Sequence, residues 1–458
     1  MLPGYLAKEG THVHRCLWDS GHEECPKRLT VTINHCTKLG LLSRMKQLGI
    51  MPCTEDVLAL FHSTNFVRKI ALTERMSREE LERFCDGYDS VYLRRESYQC
   101  ALNACRAVVE ATKTVITGKC AGCVALVKPR NHHAMKSESN GFCIFNNVGV
   151  AASYSLKHLG VKKILIIDWD VYYGQGVQHV FYNNSNVLCV SIHRHQQGTF
   201  WPYMREAEWN RTGSFEGEGF NVNLDDKDYL AVFRHIIVPI ALEFQPDLVF
   251  VSAGFDAAVG CPLGNMRVSP QAFGYFMKML MPIAGSRLVV ALEGGYSVDS
   301  LKWSVRCVIR ALLHDPLFQL SDINVPVTPS VVNAIHLVAT ALRIQWNCMS
   351  AFVGTITKCL LTMESRPFYV TVPKFIGGPD MAEEEGVSET PSSSNVAQMR
   401  SAISYLMAQT SKWQAEPRRP VLFEIVNEGS EKPLSASTFC SLSLKEELRS
   451  KILCTLTE

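Results

Sequence analysis

Ile164-Leu-Ile-Ile-Asp-Trp-Asp-Val-Tyr-Tyr-Gly174 decides how this chain folds. Four apolar residues in a row read as a buried strand, and two carboxylates, Asp168 and Asp170, come where the run gives out. That order delivers both side chains to the carboxyl end of a sheet, where open α/β folds bind their ligands. Two hard oxygens at this spacing invite a divalent ion, and a neutral nitrogen at position 172 would complete an Asp-x-His pair for zinc. The chain supplies a phenol there instead, Tyr172.

Working outward, further short apolar runs at 123–127, 187–192, 248–251 and 288–292 read as buried strands. Helical patterns at 97–116, 145–159, 229–245 and 270–284 lie between them, with one more near 330–346. This alternation predicts an α/β fold: an open, mostly parallel sheet with helices on both faces and right-handed crossovers. Each strand gives way to residues able to bind a metal or move a proton: His132-His133, Asp168 and Asp170, Ser191-Ile192-His193, Asp256, and Glu293-Gly-Gly-Tyr296. An aspartate after one strand is usually a turn or cap residue, but five consecutive strands ending this way point to a shared site.

The chain has 458 residues, more than one core usually takes, so a large domain with an appendage is expected. We expect the domain to span 1–346, followed by a linker over 347–395 that is rich in Gly, Pro, Glu and Ser in its second half. A C-terminal accessory segment over 396–458 would come next, reading as helix (396–413), strand (421–426) and amphipathic helix (442–453) and offering a place for protein partners. Net charge is +2 with the basic residues spread out, which argues against direct nucleic-acid binding and against an anionic membrane surface. No apolar run approaches a bilayer span, and the start lacks a basic region followed by an apolar one. A cytoplasmic and/or nuclear protein is expected, its 17 cysteines reduced. Cys120-Ala-Gly-Cys123 has redox or zinc spacing, yet it runs straight into a strand and has no matching second pair.

The candidate residues have distinct chemistries. An imidazole at His132 or His133 whose N–H is received by Asp168 would be held in one tautomer, as a general base requires. Asp170 and Asp256 offer oxygen ligands. Tyr296 comes after Gly294-Gly295, a pair that lets the backbone turn and present a phenol able to donate to an oxyanion. Gly141-Phe142-Cys143 and Phe200-Trp201 supply aromatic walls for a slender aliphatic chain, and Cys143 or Cys261 could lend a thiolate.

As an ordered set, His132-His133-Ala134, Gly141-Phe-Cys-Ile-Phe-Asn-Asn147, Asp168-Trp-Asp170, Ser252-Ala-Gly-Phe-Asp256 and Leu292-Glu-Gly-Gly-Tyr296 resemble the zinc-dependent histone deacetylase family over roughly residues 12–315. Tyr88-Asp-Ser-Val-Tyr92, His193-Arg194 and Phe200-Trp201-Pro202 are most similar to class IIb, which includes the tubulin and polyamine deacetylases. The resemblance implies an arginase-like sheet and hydrolysis of the acetyl amide of lysine in a protein, histone, tubulin or other. It implies zinc at Asp170, Tyr172 and Asp256, and a structural potassium ion at Asp168, Asp170, Tyr172, Ser191 and Ile192. His133 would be the general base beside His132 and Asp168, and Tyr296 the oxyanion donor. Phe142 and Trp201 would wall the acyl-lysine tunnel, the Gly141 carbonyl would accept the amide N–H, and Asp89 or Ser90 would touch the substrate backbone.

The departures from the family pattern are as specific. Tyr172-Tyr173 stands where the family has His-His, which predicts weakened zinc binding, and a catalytically inactive acyl-lysine or protein-binding scaffold is the alternative. Arg130-Asn131 replaces Pro-Gly ahead of the tandem histidines, and Cys261 replaces the Asp of a Gly-Asp-Pro run. A family insert is shortened between Leu224 and Asp225. Leu263 stands where a polyamine-selective relative carries an acid, which favours an acylated protein lysine as substrate.

Overall fold

Eight strands form one sheet in the computed structural model, which describes residues 1–7, 13–49, 54–225, 228–283, 285, 287–320 and 329–362. They are β1 (Gly4–Ala7), β2 (Lys46–Gln47), β3 (Cys123–Leu126), β4 (Ile164–Asp168), β5 (Val187–His193), β6 (Asn221–Asp225), β7 (Leu248–Ala253) and β8 (Leu288–Leu292). Their order is β2-β1-β3-β8-β7-β4-β5-β6, and every pairing is parallel. The expected open parallel sheet is therefore present, and the five strands read from apolar runs fill its centre in the order β3-β8-β7-β4-β5.

The period-2 alternation of each strand divides its side chains between two apolar layers. Leu165 and Ile167 of β4 face one core with Val249 and Val251, whereas Ile164 and Ile166 face the other with Leu248 and Phe250. The first layer is roofed by helices Lys27–Lys38, Pro270–Leu280, Val298–Leu312 and Pro329–Leu342; the second by helices Thr64–Ala71, Ser97–Ile116 and Asn147–His158. Because both faces are covered, the central strands carry apolar residues without a break. The helical pattern at 229–245 resolves into two short helices, Tyr229–Val232 and Val238–Phe244, joined by a π-helical turn at Phe233–Ile237.

Helix Asn347–Thr362 stands at the head of the segment expected to be linker. Cys348, Met349, Phe352 and Val353 are buried in the first core, so the packed unit does not stop at 346. The rest of the expected linker, and the accessory segment, lie outside the described residues. Trp346 is buried, and its Nε1–H donates to the Gly219 carbonyl just before β6 (2.8 Å). Glu243 caps the start of the last helix, accepting from the backbone N–H groups of Asn347 and Cys348 at 2.9 Å each. Among the described residues, no helix is long and apolar enough to cross a membrane.

Candidate active site

The site is built where β3, β4, β7 and β8 end. Alternation continues one step past β4, so Trp169 turns into the first core while Asp168 and Asp170 point the other way. The indole is fully buried among Phe233, Phe255, Phe273 and Phe276, with ring centroids 5.8–6.4 Å away. Burying so large an apolar side chain contributes about 1.5–3 kcal/mol, and it fixes the height of the carboxylates on either side.

Asp168 Oδ2 accepts from His132 Nδ1 at 2.7 Å, and Gln175 Oε1 accepts from His133 Nδ1 at 2.8 Å. Both Nδ1 protons are thereby assigned, and both Nε2 atoms face inward. The rings lie 3.8 Å apart, with Trp201 edge-on to His133 at 4.6 Å. Burial, then the neighbouring His132 and Arg130, hold His133 well below the ordinary imidazole value, so it is neutral. Burial also lowers His132, while the charges of Asp168, Asp170 and Glu293 act against it and draw a proton toward the ring.

Between the two Nε2 atoms stands the guanidinium of Arg130. Its Nη2 lies 2.7 Å from His132 Nε2, 2.9 Å from His133 Nε2 and 3.6 Å from Asp170 Oδ2. A guanidinium only donates, so these contacts require a lone pair on each imidazole and exclude the extra proton that Asp168 would otherwise draw onto His132. The Phe142 and Tyr296 rings flank the same group, with centroids 5.9 and 5.6 Å from its central carbon.

Asp170 Oδ1 accepts from the Tyr172 N–H, and Oδ2 from the Gly294 N–H, at 3.0 Å each. Asp256 Oδ1 accepts from the Val171 N–H at 2.8 Å, while its Oδ2 is buried without a hydrogen-bond partner. Burial raises both carboxyl groups; the charge of Asp170 pushes Asp256 further up, whereas His132 and Arg130 bring Asp170 below its usual value. Gly294 permits this crowding, since a Cβ there would lie 2.1 Å from Asp256 Oδ2 and 2.6 Å from Asp170 Oδ2.

Tyr172 does not join the expected metal set of Asp170, Tyr172 and Asp256. Its ring stacks on Phe200 at 5.1 Å, and its hydroxyl donates to the Leu263 carbonyl at 3.2 Å. Burial, then the negative charges of Asp256 and Asp170 with Arg130 opposing, pushes this phenol upward, away from the phenolate that a zinc ligand must be. The residues that do converge are His132, His133 and Asp170, whose ligand atoms all lie within 4.8 Å of one another and could hold a metal. Those are the atoms that face Arg130 Nη2, so as arranged the residues do not fit zinc. Nor do the thiols help: burial raises Cys143 strongly and Cys261 to about 11.

The tunnel residues assemble around one loop. Gly141 N–H donates to the Asp89 carbonyl (3.0 Å), Phe142 N–H to the Ser90 carbonyl (2.7 Å) and Trp201 Nε1–H to Asp89 Oδ2 (2.8 Å). Gly141 has a φ of +51°, and a Cβ there would lie 2.4 Å from Trp201 and 2.5 Å from His133, so this position needs glycine. Tyr296 is buried with its hydroxyl unpartnered, and Phe142 stands edge-on to its ring at 6.1 Å. In the expected potassium set, Asp168 pairs in register with Ser191. Ser191 Oγ lies 2.9 Å from His193 Nδ1, and the Ile192 carbonyl accepts from the Tyr229 hydroxyl at 3.2 Å.

Glu24, Arg28, Lys128 and Gln175 escaped the sequence reading. Glu24 Oε1 accepts from Arg28 Nη1 at 2.9 Å, and Oε2 from Lys128 and from the Tyr92 hydroxyl, all fully buried. Arg28 also donates to the carbonyls of Glu293 and Gly295, at 2.6 Å each, and lies 5.1 Å over the Tyr296 ring. Glu293 Oε2 accepts from the backbone of Asn131 and His132 at 2.8 and 3.3 Å. This cluster ties the loop after β3 to the loop after β8. Gln175 had one available signal, its position just after Gly174 at the end of the decisive stretch.

The histone deacetylase domain model matches residues 22–312. The chain belongs to the histone deacetylase family. It lies close to class IIb: it is 38% identical over 351 residues to the mouse polyamine deacetylase HDAC10, covering 75% of this chain and 53% of that one. It is 38% identical over 345 residues to Arabidopsis thaliana histone deacetylase 18 (72% and 50%). The solved HDA15 HD domain superposes with a TM-score of 0.70 at 29% identity, covering 78% of this chain and 99% of that one, so the arginase-like deacetylase fold is established. The chain spans about half the length of the curated relatives it matches.

Proposed function

We propose that this histone deacetylase family chain hydrolyses the acyl amide of lysine in a protein substrate, histone, tubulin or other, with weak zinc binding. The observation that carries this reading is the pair of oriented imidazoles, His132 on Asp168 and His133 on Gln175, together with the buried, unpartnered hydroxyl of Tyr296, whose ring stands edge-on to Phe142. A lysine chain would pass between Phe142 and Trp201, its amide N–H donating to the Gly141 carbonyl while Asp89 or Ser90 holds the substrate backbone. His133, neutral and with Nε2 free once Arg130 moves, would take the proton of the attacking water; Tyr296 would donate to the oxyanion. The half-buried, uncharged Leu263 at the rim supports a protein lysine over a polyamine. A structural potassium ion among Asp168, Asp170, Tyr172, Ser191 and Ile192, residence in cytoplasm or nucleus, and partner binding through 396–458 belong to the same proposal.

A second reading is favoured by Arg130 and Tyr172: an acyl-lysine or protein-binding scaffold that does not turn over. The two separate on acetate release from an acetyl-lysine peptide by the purified protein, with and without added zinc. Release above the uncatalysed rate supports the hydrolase. A folded protein that retains the peptide and releases no acetate supports the scaffold.

A further inference from the structure

We infer that the Arg130 guanidinium is the resident cation of this centre, seated where a metal would bind, so that a divalent ion enters only by displacing it. This goes beyond the proposed function and does not depend on turnover. Three lines meet on one point. The only ligand triad among the described His, Cys, Asp and Glu residues is His132, His133 and Asp170, and Arg130 Nη2 lies within 3.6 Å of the inward-facing atom of each. Zinc bonds such atoms at about 2.0–2.2 Å, so the ion and the guanidinium nitrogen compete for one volume.

The guanidinium is also built in rather than passing through. It is fully buried and flanked by two aromatic faces, and its loop is pinned by the Glu293 carboxylate at Asn131 and His132. Asn131, which replaces a glycine of the family pattern, adds a further tie, its Oδ1 accepting from the Val148 N–H at 3.3 Å. Finally, Tyr172 has left the centre for Phe200 and the Leu263 carbonyl, so the side that an imidazole would close holds no ligand. The two departures at 130 and 172 thus work in the same direction: one sets a positive charge beside Asp170, a carboxylate of the expected zinc set, and the other withdraws a ligand from that set. Arginine suits the place because it stays protonated at any accessible pH and its planar fork can serve two acceptors from one nitrogen.

The test compares wild type, Tyr172→His and Arg130→Met for zinc, using equilibrium dialysis, elemental analysis and the thermal midpoint with and without zinc. Wild type and Tyr172→His should hold no stoichiometric zinc and show no zinc-dependent rise in midpoint. Arg130→Met should bind zinc at least about 100-fold more tightly than wild type, the scale on which one adjacent charge moves the binding of another. If methionine is not tolerated, Arg130→Gln removes the charge while keeping a donor for the imidazoles. Stoichiometric zinc in wild type or in Tyr172→His, or unchanged affinity once Arg130 is replaced, overturns the inference. Acetate release is scored separately, so an inactive protein with the expected zinc pattern rejects only the hydrolase reading.

Discussion

Glu24→Gln should lower stability by about 3–5 kcal/mol, the cost of removing one partner from a buried ion pair and leaving the other charge stranded. Here two cations would be stranded, Arg28 and Lys128, both buried. Burial alone would raise the Glu24 carboxyl, but Lys128 and Arg28 outweigh it and hold it well below the usual carboxylate range. A depressed native pKa contributes stability that is complete above the unfolded-state value of 4.5 and is lost as pH falls toward the native one. The gap between wild type and variant in urea midpoint should therefore stay flat from neutral pH down to that value and narrow only in stronger acid. A loss under about 1 kcal/mol, the worth of an exposed ion pair, would refute this account of the cluster. The damage should also reach the site, because Arg28 holds the carbonyls on either side of Gly294 and stands over Tyr296.

Tyr296→Phe should cut acetate release by about 100- to 1,000-fold, the usual cost of one oxyanion donor, with the loss in kcat rather than KM. Stability offers an independent readout. The hydroxyl is buried and donates to nothing in the resting fold, so its removal discards an unmet polar group and the thermal midpoint should hold or rise. A phenol kept only for structure would give the opposite pair of results: a lower midpoint and unchanged turnover.

The centre of the sheet was legible because β3, β4, β5, β7 and β8 are buried on both faces and carry unbroken apolar runs. The strands that went unread lie at the flanks: β1 has four residues, β2 has two, and β6 alternates polar Asn221 and Asn223 with Val222 and Leu224. At the site, a pairing of Asp168 with one of the tandem histidines was legible, because both follow apolar strands and a carboxylate can receive a ring N–H; the structure gives it to His132. The position of Arg130 was not. Sequence marked it as an altered loop residue, but where its side chain ends depends on β8, β7 and β4 lining up beside β3, pairings made across long stretches of chain. The turn of Tyr172 toward Phe200 escaped for the same reason. Glu24 and Lys128 are 104 residues apart, and no local pattern announces such a pair.

The family match ends at residue 312, but the apolar layer of the first core does not. Val331, Ile335, Val338, Ala339, Leu342 and Trp346 complete it, and Pro329–Leu342 packs on β6, the outermost strand. Homology and autonomy therefore draw different borders. A chain severed at 312 would retain every residue of the catalytic motif set, yet it would bare an oily flank beside an open strand edge, the arrangement that recruits a second copy into intermolecular pairing. The two helices beyond the matched region cover that flank.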